Sequence, residues 1–428
     1  MAERNTAVSR RSLLAAAGAA ALTPASSEAN FPMSPASAAA DYFPPPDSDG
    51  GWRTLADRRE LRRKAGVDLT RLEQAWEQCQ RTTANAGLVV IRNGYLVLER
   101  YAGRASRMCN PDMASTGKAF TSIATGIMLK EFRDKIPQGL DTKVYNDTFL
   151  PEANPISDPR LKDATLGHLL CMTAGYQGEG GSPSMQDGKV IPGKLVPGQD
   201  IRDLDGSSLR APLWCGPGEG YAYASPSPHI ASMVLRRIVG MDLKDYIHTR
   251  LAVPQGWGAW DYCLRRGDII QKVANGAGSI ALHATDAVRF AYCLAQGGRW
   301  KDKQIVPPEY IKLCQSQLPQ YNRHTPFSLQ WEHNADGHVA GAPRDAFWKS
   351  GAYGFCLYVV PSLNLVLYKM GGANFQYDPT MTLIPQPEQK TDRDNWKPIP
   401  RTPFHDGTLG GDDGLRRVME MCCASIVD

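Results

Sequence analysis

Ser115-Thr116-Gly117-Lys118 opens a stretch in which Phe120, Ile123 and Ile127 recur on one helical face. It is the only Ser-x-x-Lys in the 428-residue sequence. Helix positions i and i+3 share a face, so the Lys118 amine can reach the Ser115 hydroxyl. Serine is a poor nucleophile until its proton is taken, and a lysine in a dry pocket can lose its own proton and act as a base. A serine at a helix N-terminus also gains from the helix dipole as negative charge develops. Thr116-Gly117-Lys118 brushes against a phosphate-binding loop, but Asp112 stands where the first glycine belongs and Ala119 replaces the Ser/Thr, which sets nucleotide binding aside.

Two later segments change the weight of that motif. Pro217-Gly218-Glu219-Gly220-Tyr221-Ala222-Tyr223-Ala224-Ser225 ends a loop and enters a helix, and Lys349-Ser350-Gly351 precedes a strand-like run. Taken singly, Tyr223 reads as a packed aromatic and Lys349 as a surface charge. In this order after Ser115, they make the chain resemble the serine β-lactamase and penicillin-binding superfamily. Its nearest look is to the class C β-lactamases and their related esterases and peptidases. Leu169-Leu170-Cys171-Met172-Thr173-Ala174-Gly175 and the segment from Gly278 to Lys303 are similar to framework stretches of that family, and the resemblance covers residues 70–375.

The resemblance implies roles. Ser115 would be the acylated nucleophile, Lys118 its hydrogen-bonded partner and Tyr223 the phenolate-like base. Ser225, where many members have Asn, would orient Lys118 or substrate. Lys349 would bind a substrate carboxylate or tune the Tyr223 proton, with Ser350 in place of the family's Thr. The backbone N–H groups of Ser115 and of Ala352, after Gly351, would form the oxyanion hole. Two such donors could each stabilise the tetrahedral intermediate by about 3–4 kcal/mol. No class A-type glutamate motif follows Tyr223. The implied activity is hydrolysis of a small ester, amide or lactam, with no cofactor and no metal. A silent ligand-binding protein of the cell envelope is the alternative, and covalent labelling of Ser115 separates the two.

Local patterns predict an α+β fold. Leu88-Val89-Val90-Ile91, Asn93-Gly94 and Tyr95-Leu96-Val97-Leu98 predict a hairpin, and a second surrounds Pro361-Ser362-Leu363-Asn364. Leu69, Leu72, Trp76 and Cys79 form a helical stripe. Ser225-Pro226 reads as an N-cap, Thr285-Asp286 starts another helix, and Leu415, Val418, Met419, Cys422 and Ile426 mark a closing one. Strands at both ends with helices between imply an antiparallel sheet flanked by helices, with a mostly helical lobe over about residues 120–275. Residues 67–428 form the hydrolase domain, 30–66 an irregular arm, and 176–220 and 376–411 loops.

Ser9-Arg10-Arg11-Ser12-Leu13-Leu14 and the Ala-rich run to Leu22 read as a twin-arginine export signal over residues 1–29. Cleavage would follow Ala29 or Ala38. The expected partner is the twin-arginine translocase (Tat), and the expected location is the bacterial periplasm or exterior, with no transmembrane segment in the mature protein. A net charge of +4 without a basic run speaks against nucleic acid. Ten cysteines with no paired C-x-x-C do not form a disulfide scaffold. His333 and His338, near Asp336, lack a third ligand for zinc.

Overall fold

The computed structural model describes residues 42–384 and 412–427, apart from Ala56 and Ala84. The expected export signal and most of the 376–411 stretch lie outside the described residues. One sheet holds β1 (Arg53–Thr54), β2 (Ala86–Arg92), β3 (Tyr95–Ala102), β4 (Phe327–Ser328), β5 (Trp331–His333), β6 (Phe347–Gly351), β7 (Phe355–Val360) and β8 (Leu365–Met370). Their spatial order is β1-β3-β2-β8-β7-β6-β5-β4, antiparallel throughout except for the β1–β3 pair. Asn93 and Gly94 take φ of 51° and 73°, the two positive values that a tight β2–β3 turn requires. Asn364, φ 42°, closes the β7–β8 hairpin.

Every residue of β2, β7 and β8 is buried, because helices cover both faces of the sheet. On one face Leu88, Val90, Leu365 and Leu367 pack with Leu72 and Cys79 of α1 (Leu69–Thr82). Val418, Met419 and Cys422 of the C-terminal helix (Asp412–Ala424) complete that layer. On the other face Val89, Ile91, Leu357 and Val366 pack with α4 (Ala284–Ala295), and the same apolar cluster runs on into α2 (Lys118–Glu131) and α3 (Pro226–Val239), which pack on each other. Each fully buried aliphatic side chain contributes about 1.5–3 kcal/mol, so this three-layer sandwich fixes the strand ends firmly.

Two expectations are corrected. The described part of the 30–66 arm is not irregular. Arg53–Thr54 joins the sheet edge, and Asp57 caps a helical turn by accepting from the Glu60 N–H at 2.8 Å. The signal was present in Asp57-Arg58-Arg59-Glu60, a capping-box pattern. Arg53, stacked between Tyr42 and Tyr95, donates to the carbonyls of Asn93 (2.7 Å) and Gly94 (3.2 Å), while buried Arg289 donates to Pro44 O and Asp47. The 176–220 loop also carries structure: strands Ser184–Gln186 and Lys189–Ile191, which pair around Asp187-Gly188, and a helix at Leu204–Leu209. Strands of three residues show no period, but Asp-Gly was a legible turn signal, with φ of 47° and 74°.

All ten cysteines are buried and unbonded. Among the described residues no helix is long and apolar enough to cross a membrane.

Candidate active site

Ser115 sits in a single tight turn, Ala114–Gly117, and Lys118 is the first residue of α2. The pair therefore straddles a helix start rather than lying within a helix. Ala114 takes φ 49°, a strained value for a residue with a Cβ. Four bonds hold it there: Ala114 N–H to Asp112 Oδ1 (2.8 Å), Ser279 N–H to Ala114 O (3.1 Å), Met113 N–H to Ile280 O (3.1 Å) and Thr116 N–H to Met113 O (3.2 Å). Asp112 is itself paired with Arg266 at 3.0 Å, and burial pushes its carboxyl above the usual range despite that partner.

Glycines let three segments converge on this turn. A Cβ on Gly278, φ 134°, would lie 2.4 Å from Ala114 O, and one on Gly117 would lie 2.9 Å from Gly278 Cα. A Cβ on Gly351 would lie 2.5 Å from Met113 O. The end of β6 can thus abut the Ser115 turn only because the third residue of Lys-Ser-Gly is glycine.

Lys118 Nζ is buried and donates to Ser115 Oγ (2.9 Å), Ser225 Oγ (3.1 Å) and Ala277 O (2.7 Å). Three acceptors match the three N–H donors of an ammonium. Ser225 precedes α3, but its side chain makes no cap bond: the residue is helical (φ −61°, ψ −27°) and its hydroxyl faces Lys118 instead. The N-cap expectation is corrected on that ground.

Two cations lie near the Tyr223 ring, Lys118 Nζ at 5.0 Å and Lys349 Nζ at 5.1 Å from its centroid. Its hydroxyl makes no hydrogen bond among the described residues. Glu179 fixes the Tyr223–Ser225 backbone from both ends. Its N–H donates to Tyr223 O at 2.9 Å, and its carboxylate accepts the Ser225 N–H. Lys349, buried on β6, donates to Glu332 Oε1 at 3.1 Å, and Ser350 Oγ donates to the same oxygen at 2.7 Å. Burial opposes the charge on Lys349, but the adjacent Glu332 outweighs it and drives the ammonium well above the ordinary lysine range. Ala352 follows Gly351 in an exposed turn, before Tyr353, which is held at φ 64°.

The structure thus brings Ser115, Lys118, Tyr223, Ser225, Lys349, Ser350 and Gly351 together at one site. Sequence reasoning missed Glu332, Glu179, Gly278 and the Ala277 carbonyl. The one available hint for Glu332 was a lone carboxylate closing the alternating run Phe327-Ser328-Leu329-Gln330-Trp331. His333 and His338 take separate partners: His333 Nδ1 accepts from Ala335 N–H at 3.3 Å, and His338 Nδ1 pairs with Asp336 at 2.6 Å.

The family profile named Beta-lactamase matches residues 69–371. The chain belongs to the beta-lactamase family. Its α+β architecture recurs in solved structures of low identity. A Bacteroides dorei protein provisionally named a beta-lactamase aligns with TM-score 0.59 at 14% identity, over 84% of this chain and 99% of that one. A Bacillus anthracis protein provisionally named a 6-aminohexanoate-dimer hydrolase gives 0.54 at 20% identity, over 73% and 77%. A mutant simvastatin synthase from Aspergillus terreus gives 0.54 at 15%, over 83% and 98%. At these identities the likeness to this beta-lactamase family member is one of fold. No curated protein matches the sequence.

Proposed function

We propose that the protein is a serine hydrolase that forms an acyl-enzyme on Ser115 and hydrolyses an ester or amide bond. The observation that carries the reading is the Lys118 ammonium, shared by Ser115 Oγ, Ser225 Oγ and Ala277 O beneath a Tyr223 ring flanked by Lys349. Ala277 O can only accept, so it takes one Lys118 N–H, and an ammonium satisfies all three oxygens at once. That favours Tyr223, as phenolate, for the proton-accepting role. Two nearby cations stabilise a negative charge there.

In the reaction Ser115 Oγ attacks the substrate carbonyl carbon and passes its proton to the Tyr223 oxygen. The carbonyl oxygen becomes an oxyanion that accepts from the Ser115 and Ala352 N–H groups. Collapse expels the leaving alcohol or amine, which takes the proton back from Tyr223. A water then attacks the acyl-enzyme, giving one proton to Tyr223; on collapse the bond to Ser115 Oγ breaks, Tyr223 returns that proton to Ser115 Oγ, and the carboxylic acid leaves.

A fluorophosphonate should add once, on the Ser115 peptide, and Ser115→Ala should lose both labelling and at least about a thousandfold in kcat. Turnover is read on a cephalosporin, a p-nitrophenyl ester, a D-Ala-D-Ala peptide and a linear amide dimer. Ligand binding without an adduct would sink the hydrolase and leave a silent binding protein. The reading extends to Tat-dependent export, resting on Arg10-Arg11 and the apolar run to Leu22. Unchanged export of an Arg10→Lys/Arg11→Lys variant would remove that part.

A further inference from the structure

We infer that Glu332 sets the charge preference of the cleft, standing in for a substrate carboxylate, so that the acyl donor is neutral at the Lys349 subsite. The inference rests on the proposed function and names its substrate class. Lys349 Nζ and Ser350 Oγ are the two donors that a substrate carboxylate would use. Both already converge on one internal oxygen, Glu332 Oε1, at 3.1 and 2.7 Å. Lys349 is buried and paired with Glu332, and Lys118 is held by three oxygens, so together with Tyr223 as phenolate the two cations are already matched and an incoming carboxylate would be the excess charge. A second carboxylate brought to Lys349 would face Glu332 at close range, and like charges in a partly desolvated site repel strongly.

Glu332 is not free to swing away. The two residues between β4 and β5 are Leu329 and Gln330, with φ of 47° and 75°, an unfavourable pair for residues bearing side chains. Gln330 N–H and Nε2 both donate to Leu170 O at 2.8 Å, which ties the strained turn to the segment Leu166–Leu170. Trp331, next along, is fully buried. The hairpin therefore delivers Glu332 to a fixed place. A strained turn kept for this purpose fits a positioning role rather than an incidental ion pair.

The test uses benzoate and benzyl alcohol as probes, with binding followed by ligand-observed NMR on the full-length protein. Wild type should bind benzoate no more tightly than benzyl alcohol. Glu332→Gln keeps an acceptor for Ser350 and removes the charge, and should bind benzoate at least about tenfold more tightly than wild type. Adding Lys349→Met should abolish that gain. A tenfold wild-type preference for benzoate, or an unchanged benzoate affinity in Glu332→Gln, overturns the inference. If the variant fails to fold, the wild-type comparison decides alone. A catalytic arm compares p-nitrophenyl hemisuccinate with p-nitrophenyl butyrate: Glu332→Gln should shift the kcat/KM ratio toward the acid by tenfold or more, mainly through KM. Should neither ester turn over and Ser115 resist labelling, the hydrolase reading fails, while the benzoate measurement still judges Glu332.

Discussion

Ala114 holds a backbone conformation that costs about 1–3 kcal/mol for a residue with a side chain, and Gly278 is what makes room for it. Gly278→Ala puts a methyl group 2.4 Å from a backbone oxygen, where no side chain can yield. We expect it to slow Ser115 labelling at least tenfold and to lower stability by about 2 kcal/mol. Gly297→Ala is the control. Its φ is 66° with open space around it, so it should cost about 1 kcal/mol and leave labelling intact. Equal labelling rates in the two variants would mean that Gly278 does not shape the turn. At this scale the grouping of Ser115, Lys118, Tyr223 and Lys349 was legible, the first two from their spacing and the others from the family resemblance that their motifs carry. Ala277 and Glu179 were not. One acts through a carbonyl that every residue possesses, and the other is a loop carboxylate whose target lies 46 positions away.

The strand β5 carries two acid–base groups with opposite duties. Glu332 accepts from Lys349 and Ser350, while His333 beside it is buried, with Nε2 unpartnered and Nδ1 accepting from Ala335 N–H. Burial is the leading cause that pulls the His333 imidazole down to about 4; Asp336 and Glu332 oppose it, and His338 adds to it. The folded value lies below the ordinary one near 6.5, so between those two values the unfolded chain binds the extra proton. Stability contributed by neutral His333 is full above that window and is lost as pH falls through it, by about 2–3 kcal/mol. Urea unfolding at pH 7, 5.5 and 4.5 should show this loss in wild type and a flatter profile in His333→Asn. Identical slopes would assign the acid sensitivity elsewhere. Among elements, long hairpins and amphipathic helices were readable because many residues repeat one pattern. The three-residue strands of 184–191 were not, since a period needs length. The strand Arg53–Thr54 is set by an edge already built from β3, which local sequence does not encode.

The α+β class, the antiparallel sheet and the helices on its faces followed from strand signals at the two ends of the chain and helix signals between. What local pattern could not supply was how far the N-terminal arm is built in, because its anchors are single residues, Arg53 and Arg289, reaching distant carbonyls. The cysteines express the same completeness of packing. Burial pushes the thiols of Cys79 and Cys109 up to about 11 and those of Cys171, Cys215 and Cys423 to about 12. Native protein should therefore react with almost none of its ten thiols in Ellman's reagent at pH 8, and denatured protein with all ten. Rapid native titration of several thiols would contradict this packing.

That burial bears on the order of events in a cell. Were the chain to cross a membrane as an extended thread, it would present ten unprotected thiols to an oxidising space, with roughly a thousand ways to pair them. A chain folded beforehand in a reducing cytoplasm carries its sulfurs across sealed in the core, beyond the reach of the oxidants outside. Under the proposed Tat export, a route that moves finished folds would protect this protein against misoxidation as well as transport it.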